Sequence, residues 1–105
     1  MTVKRLLISA YIRTLNEERM IGEVVRAALQ VASEVVVIDS GSQDRTAEIA
    51  EDAGAKIIRH EWLGNGHQKR LAEDACANDW LLDLDADEII SPALAEEIAG
   101  LFKNG

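Results

Sequence analysis

Four short aliphatic runs, each followed by a stretch with helical spacing, constrain this chain more than any other feature. The runs are Leu6–Ile12, Val35–Ile38, Ile57–Ile58 and Trp80–Leu84. Nearly unbroken in apolar residues, they suit strands covered on both faces. Ile21, Val24, Val25, Ala28 and Leu29 fall at i, i+3, i+4, i+7 and i+8, one stripe of an amphipathic helix. Ile49, Ala50 and Ala53 form a shorter stripe that Gly54 closes as the residue after the cap. A third helix is predicted over His67–Ala77. Ser91 is a good N-cap with Pro92 at the first helical position, and Leu94, Ile98, Leu101 and Phe102 fall on one side of the helix that follows. The order β-α-β-α-β-α-β-α predicts an α/β fold whose sheet is mostly parallel, with right-handed crossovers.

The bulk properties agree with one domain, or a portion of one, over residues 1–105. The chain is 48% hydrophobic and 29% charged with a net charge of -8, which reads as globular and argues against a nucleic-acid surface or an anionic-membrane surface. The single cysteine, Cys76, excludes an internal disulfide and is expected as a buried structural thiol. The opening MTVKRLLISAYIRT is read as a first strand, because its apolar run is short, Arg13 ends it and no small-residue cleavage site follows. No segment approaches the roughly 20 apolar residues of a membrane span, so a cytoplasmic location is expected. A four-stranded sheet would leave its last edge bare, as a truncated domain does.

Ligands of open parallel sheets bind beyond the carboxyl ends of the strands. The segments there are RTLNEE, DSGSQDRT, HEWLGNGHQK and DADE, so polar, small and acidic residues converge on one rim. Asn16 is a fair N-cap for the first helix, and Glu17 and Glu18 favour its positive end. Gly41 permits a tight turn, while Ser42 or Asp44 is placed to cap the helix starting near Thr46. Asp39, at the very end of its strand, would repel a phosphate but welcome a pyrimidine N3–H or a ribose hydroxyl. The G-x-G at residues 64–66 lacks the third glycine of a dinucleotide fingerprint. Lys69 and Arg70 are among the few basic residues near this rim, suited to a diphosphate or to solvent. His60 and His67 have no ligand spacing and are expected to face water.

The stretch LLDLDADEII concentrates the chemistry. Alternation sets Leu82 and Leu84 on one face and Leu81 and Asp83 on the other. Asp85 and Asp87, two apart, project alike if the chain stays extended. Two carboxylates ~4 Å apart repel by about 4 kcal/mol at an effective dielectric of 20, which a cation or a raised pKa relieves. Hard divalent ions accept one or two carboxylates plus phosphate and water, so Asp85-x-Asp87 is a candidate metal–phosphate clamp. Taken in isolation, a solvated turn before the last helix would be the preferred reading; its place on this acidic rim favours the clamp.

TLNEE, VVVIDSGSQDRTAEIAEDAGA, EWLGNGHQKRLAEDACANDWLLDLDADE and SPALAEEI together resemble family 2 glycosyltransferases, most nearly the lipopolysaccharide core-type sugar transferases. These segments span most of the chain in the family's order. The resemblance implies a Rossmann-like GT-A half-domain that binds a nucleotide-sugar donor, UDP-linked, for inverting, hexosyltransferase-type transfer. It implies Thr14, Asn16 and Glu17 lining the nucleotide pocket, Asp39 on the base, Ser42 and Asp44 in the same loop, and Lys69 near the diphosphate or ribose. Asp87 would be the more direct ligand of Mn²⁺ or Mg²⁺, with Asp85 nearer the ribose or a water of that ion. The acceptor would be a saccharide or lipid-linked saccharide, with the full-length protein associated peripherally with the inner membrane. The catalytic base is expected in a later, acceptor-side segment.

Arg13 stands where the family often has proline, Arg45 where glycine is common and Arg70 where asparagine is usual, while Asp83 adds an acid within the strand. Three other readings compete. A haloacid-dehalogenase-like phosphatase would carry its D-x-D on the first strand. A sugar-nucleotidyltransferase would need a glycine-rich first loop. A non-catalytic nucleotide-binding or regulatory α/β domain of receiver type would pair its acids after strand one.

Overall fold

The computed structural model describes residues 6–62, 64–78 and 80–103. Eight elements alternate: β1 (Leu6–Thr14), α1 (Ile21–Ala28), β2 (Ala32–Asp39), α2 (Thr46–Asp52), β3 (Lys56–Arg59), α3 (Asn65–Ala75), β4 (Trp80–Asp85) and α4 (Pro92–Lys103). The strands form one sheet in the order β3-β2-β1-β4, parallel at every pairing. The expected architecture is present, and each strand extends beyond its apolar run.

Alternation along β1 and β2 divides the apolar residues between two layers. Ile8, Ala10, Ile12, Val35, Val37 and Leu84 belong to the main core with Ile21, Val24, Val25 and Ala28 of α1 and Ala50 of α2. Tyr11, Val36 and Ile38 point to the opposite face, where Ala72 of α3 meets them. Each fully buried valine or isoleucine contributes roughly 1.5–3 kcal/mol, so the unbroken run Val35–Ile38 fixes β2 inside the sheet rather than at its edge. Gly54 ends α2 at φ 111°, and a Cβ there would stand 3.0 Å from Leu29 Cδ1. Any other residue there would be strained in its backbone and would make the Leu29 side chain give way.

Several local expectations are corrected. Helix α1 starts at Ile21 with Met20 as its cap residue, so Asn16 is not its N-cap. Helix α3 begins two residues before His67 and ends at Ala75. Ser91 does cap α4, accepting from the Leu94 N–H at 3.1 Å. The face of α4 that packs on the core carries Ala95 and Ile98, whereas Leu94 is exposed. The side chains of Leu101 and Phe102 lie outside the described set. Cys76 is only half-buried. His60 and His67 are each half-buried and lie against one another, ring centroids 5.4 Å apart, rather than simply facing water. Among the described residues no helix is long and apolar enough to cross a membrane.

Candidate functional site

Parallel registers bring the strand ends level: Thr14 pairs with Asp39, Asp39 with Arg59, and Arg13 with Asp85. The ladder continues past the strands, with the Ser40 N–H on the Thr14 carbonyl and the His60 N–H on the Asp39 carbonyl, each at 3.0 Å. Four loops therefore leave the sheet side by side, as the sequence pattern required.

The β1–α1 and β2–α2 loops are stitched together through the predicted site residues. The Asn16 N–H donates to Ser42 Oγ at 2.8 Å, and Asn16 Oδ1 accepts from the Gln43 N–H at 2.9 Å. The Glu17 N–H donates to Thr46 Oγ1 at 2.8 Å. The Glu18 N–H reaches Asp44 Oδ2 at 3.3 Å, while Glu18 Oε2 accepts from the Arg45 N–H at 3.1 Å. Asn16 makes this exchange at φ 53°, a left-handed conformation that asparagine tolerates better than other side chains. Its amide caps a neighbouring loop instead of its own helix. Asp44 secures the start of α2, accepting from the Thr46 N–H at 2.9 Å and from the Thr46 hydroxyl. The bond from the Thr46 hydroxyl, reinforced by the Thr46 and Glu18 N–H groups, holds the Asp44 carboxyl below its ordinary value.

Asp39 is 2% exposed, and its two oxygens accept from the Ser42 N–H, at 3.1 Å, and from the Ser42 hydroxyl. Each carboxylate oxygen retains a further acceptor site. Beside it the structure reveals a residue that sequence pattern passed over. Gln68 is wholly buried and donates from Nε2 to Ser40 Oγ at 3.1 Å. Its Oε1 has no partner, and neither has the buried Thr14 Oγ1. Buried polar atoms are nearly always paired, so these two orphans, on β1 and α3, are exceptions in the interior beneath the rim. Gln68, Ala72 and Ala75 share the buried face of α3 at i, i+4 and i+7. That spacing could have exposed Gln68, but its polarity removes it from any apolar stripe.

An open cleft of about 230 Å³ lies here, lined by Arg13, Thr14, Leu15, Ser40 and Trp62. Thr14 is thus at the cleft, with Asn16, Glu17, Asp39 and Ser42 bound into the loops around it. Lys69 is exposed, next in sequence to the buried Gln68, and the structure gives it no contact with these residues.

Asp85, the last residue of β4, and Asp87, in the turn that follows, are exposed on either side of buried Ala86. The Glu88 carboxylate accepts from the Asp85 N–H at 3.1 Å, and the Asp85 carbonyl accepts from the Glu88 N–H at 3.0 Å. Glu88 therefore closes the turn that presents the pair. Among the described residues no three metal-binding side chains converge. Two solvent-facing carboxylates nonetheless fit a hard divalent ion whose remaining ligands are phosphate and water. Asp83 finds its partner in Arg13, with Oδ2 and Nη2 3.4 Å apart.

Tyr11 lies beneath this face, its hydroxyl 3.5 Å from Glu73 Oε2. Burial, with the charges of Asp83 and Glu73 added, pushes the phenol up to about 12. Burial likewise raises the Cys76 thiol, with Glu34 adding to it.

A parallel α/β sheet with an open cleft at the C-terminal ends of its strands defines the class of fold in which ligands sit at the strand ends. The family model for Glycosyl transferase family 2 matches residues 9–105, and the chain belongs to that family. It is 46% identical over 95 residues to a glycosyltransferase of Rickettsia bellii (strain RML369-C), covering 90% of this chain and 32% of the relative. It is 36% identical over 105 residues to the lipopolysaccharide core biosynthesis glycosyltransferase LpsC of Rhizobium meliloti (strain 1021), covering 95% and 38%. The chain thus spans about a third of these relatives' length. Among solved structures it resembles Mycobacterium tuberculosis glucosyl-3-phosphoglycerate synthase in complex with Mg²⁺ and UDP, with a TM-score of 0.68 and 28% identity over 78% of this chain and 34% of the other. The same enzyme with Mn²⁺, UDP and glucosyl-3-phosphoglycerate gives a TM-score of 0.66 and 26% identity over 75% and 33%.

Proposed function

We propose that this chain binds the UDP-linked sugar donor of an inverting transfer to an acceptor hydroxyl. The observation that carries the reading is the cleft at the ends of β1 and β2, where the hydroxyl of Thr14 is buried without a partner. Membership of glycosyltransferase family 2 and the UDP in the similar synthase support it. Thr14, Asn16 and Glu17 line the nucleotide side of the site. Asp39, oriented by Ser42, accepts from the edge of the base through its remaining acceptor sites. Lys69 lies near the diphosphate or ribose.

Asp87, with Asp85 beside it, would hold Mn²⁺ or Mg²⁺, an ion that when bound stabilises the departing diphosphate. The ions accompanying UDP in the similar synthase support this assignment. The acceptor is a saccharide or a lipid-linked saccharide, a choice supported by the likeness to LpsC. Inverting transfer also needs a base to take the acceptor proton. We assign that role to an acceptor-side carboxylate outside residues 1–105, so this stretch alone transfers sugar weakly at best.

Titration with UDP and Mn²⁺, together and apart, tests the reading. UDP binding is expected to depend on the ion and to weaken sharply in Asp87→Ala. Folded protein that binds no UDP would overturn the donor assignment. Binding indifferent to the ion would overturn the role given to Asp87. Robust turnover by residues 1–105 alone would overturn the need for an outside base.

A further inference from the structure

We infer that Trp62 stacks its indole ring on the base of the donor nucleotide and is a determinant of nucleotide affinity; this rests on the donor-binding reading above. Strand order carries the argument. With the sheet running β3-β2-β1-β4, Ser40 at the end of β2 lies between the loop after β1, which carries Leu15, and the loop after β3, which carries Trp62. All three line the same cleft. Leu15 and Trp62 are 52% and 53% exposed, so two large apolar side chains flank the narrow strip contributed by Thr14 and Ser40.

The acids of β4 lie on the other side of β1. Neighbouring strands are about 4.8 Å apart, which sets β4 and β2 roughly 10 Å from each other. A nucleotide whose diphosphate sits by Asp85 and Asp87 therefore extends its base toward β2, into the cleft. The donor sugar is attached at the opposite end of the diphosphate and is carried away from Trp62.

The chemistry of the walls selects the same group. A phosphate gains nothing from Leu15 and Trp62, and the cation of the lining, Arg13, already faces Asp83 at 3.4 Å. A nucleobase has flat apolar faces for both of them. Stacking on an aromatic side chain favours any base. Trp62 accordingly supplies affinity for the base as such, while Asp39 is left to accept from its edge.

The chain has two tryptophans, Trp62 and Trp80, which makes the contact directly observable. In a Trp80→Phe protein with Mn²⁺ present, UDP is expected to quench the fluorescence of Trp62, and inorganic pyrophosphate to leave it unchanged. By calorimetry, Trp62→Ala is expected to lower UDP affinity about tenfold with pyrophosphate affinity unchanged, and Trp62→Phe to recover most of the loss. UDP binding without quenching, or equal affinity in wild type and Trp62→Ala, overturns the stacking role while leaving the donor reading intact. A parallel fall in UDP and pyrophosphate affinity also overturns it, because the loss then comes from the phosphate end. Absence of UDP binding to the wild-type protein removes the donor reading itself, and the stacking role with it.

Discussion

Arg13 and Asp83 meet across β1 and β4, Nη2 to Oδ2 at 3.4 Å, although 70 residues separate them in sequence. The arginine that ends the first apolar run and the acid set within the last strand thus answer one another. The side chains are 25% and 37% exposed, so water and salt screen the attraction. An exposed pair of this kind contributes about 0–1 kcal/mol. A double-mutant cycle of Arg13→Ala and Asp83→Ala, read by urea unfolding, is expected to give a coupling in that range that shrinks as salt is added. A coupling independent of salt would show that solvent does not reach the pair.

Asn16 joins two loops through its side chain while holding a left-handed backbone. Both Asn16→Gly and Asn16→Ala remove the amide that receives the Gln43 N–H, but glycine also relieves the left-handed backbone of its β-carbon, whereas alanine keeps the β-carbon there without the amide that compensates it. Thermal unfolding should therefore rank the wild type above Asn16→Gly and Asn16→Gly above Asn16→Ala, with about 1 kcal/mol between the variants. Equal losses would show that the backbone relaxes out of the left-handed region.

Tyr11 is the only tyrosine in the chain, and burial raises its hydroxyl from the ordinary 10.0 to about 12. A folded value above the unfolded one favours the neutral phenol in the fold. That stabilisation is whole below about pH 10 and is lost as pH rises through about 12. Phenolate absorbance should appear near pH 12 in native protein and near pH 10 in urea. Tyr11→Phe should lose less stability across that window than the wild type.

Gln68 leaves Oε1 unsatisfied in the interior. Gln68→Leu relieves the desolvation cost of that oxygen, and the Ser40 hydroxyl it leaves is only half-buried, where water can replace the lost bond. Gln68→Leu is expected to unfold at a urea concentration no lower than the wild type, yet to bind UDP more weakly. A large loss of stability would show that the bond to Ser40 Oγ outweighs the orphaned oxygen.

The layered α/β fold and the rim were legible because they depend on periodicity. Hydrophobic runs and helical stripes are local, and parallel connection forces all strand ends carrying Thr14, Asp39 and Asp85 to one side. Asn16 was legible as a capping residue but not as the cap of a different loop. The choice between its own helix and Gln43 depends on how closely β1 and β2 bring their loops, and no local spacing encodes that distance.

Sequence by itself determined the eight elements, the parallel sheet and the clustering of acids at its carboxyl edge, since each follows from residue spacing along the chain. Tertiary structure alone decided that Asp83 belongs to Arg13, that Gln68 is buried with an unpaired oxygen, and that Leu15 and Trp62 border one cleft. Those relations depend on the strand order β3-β2-β1-β4. Order within a sheet is a property of long-range pairing, invisible in the periodicity of any single strand.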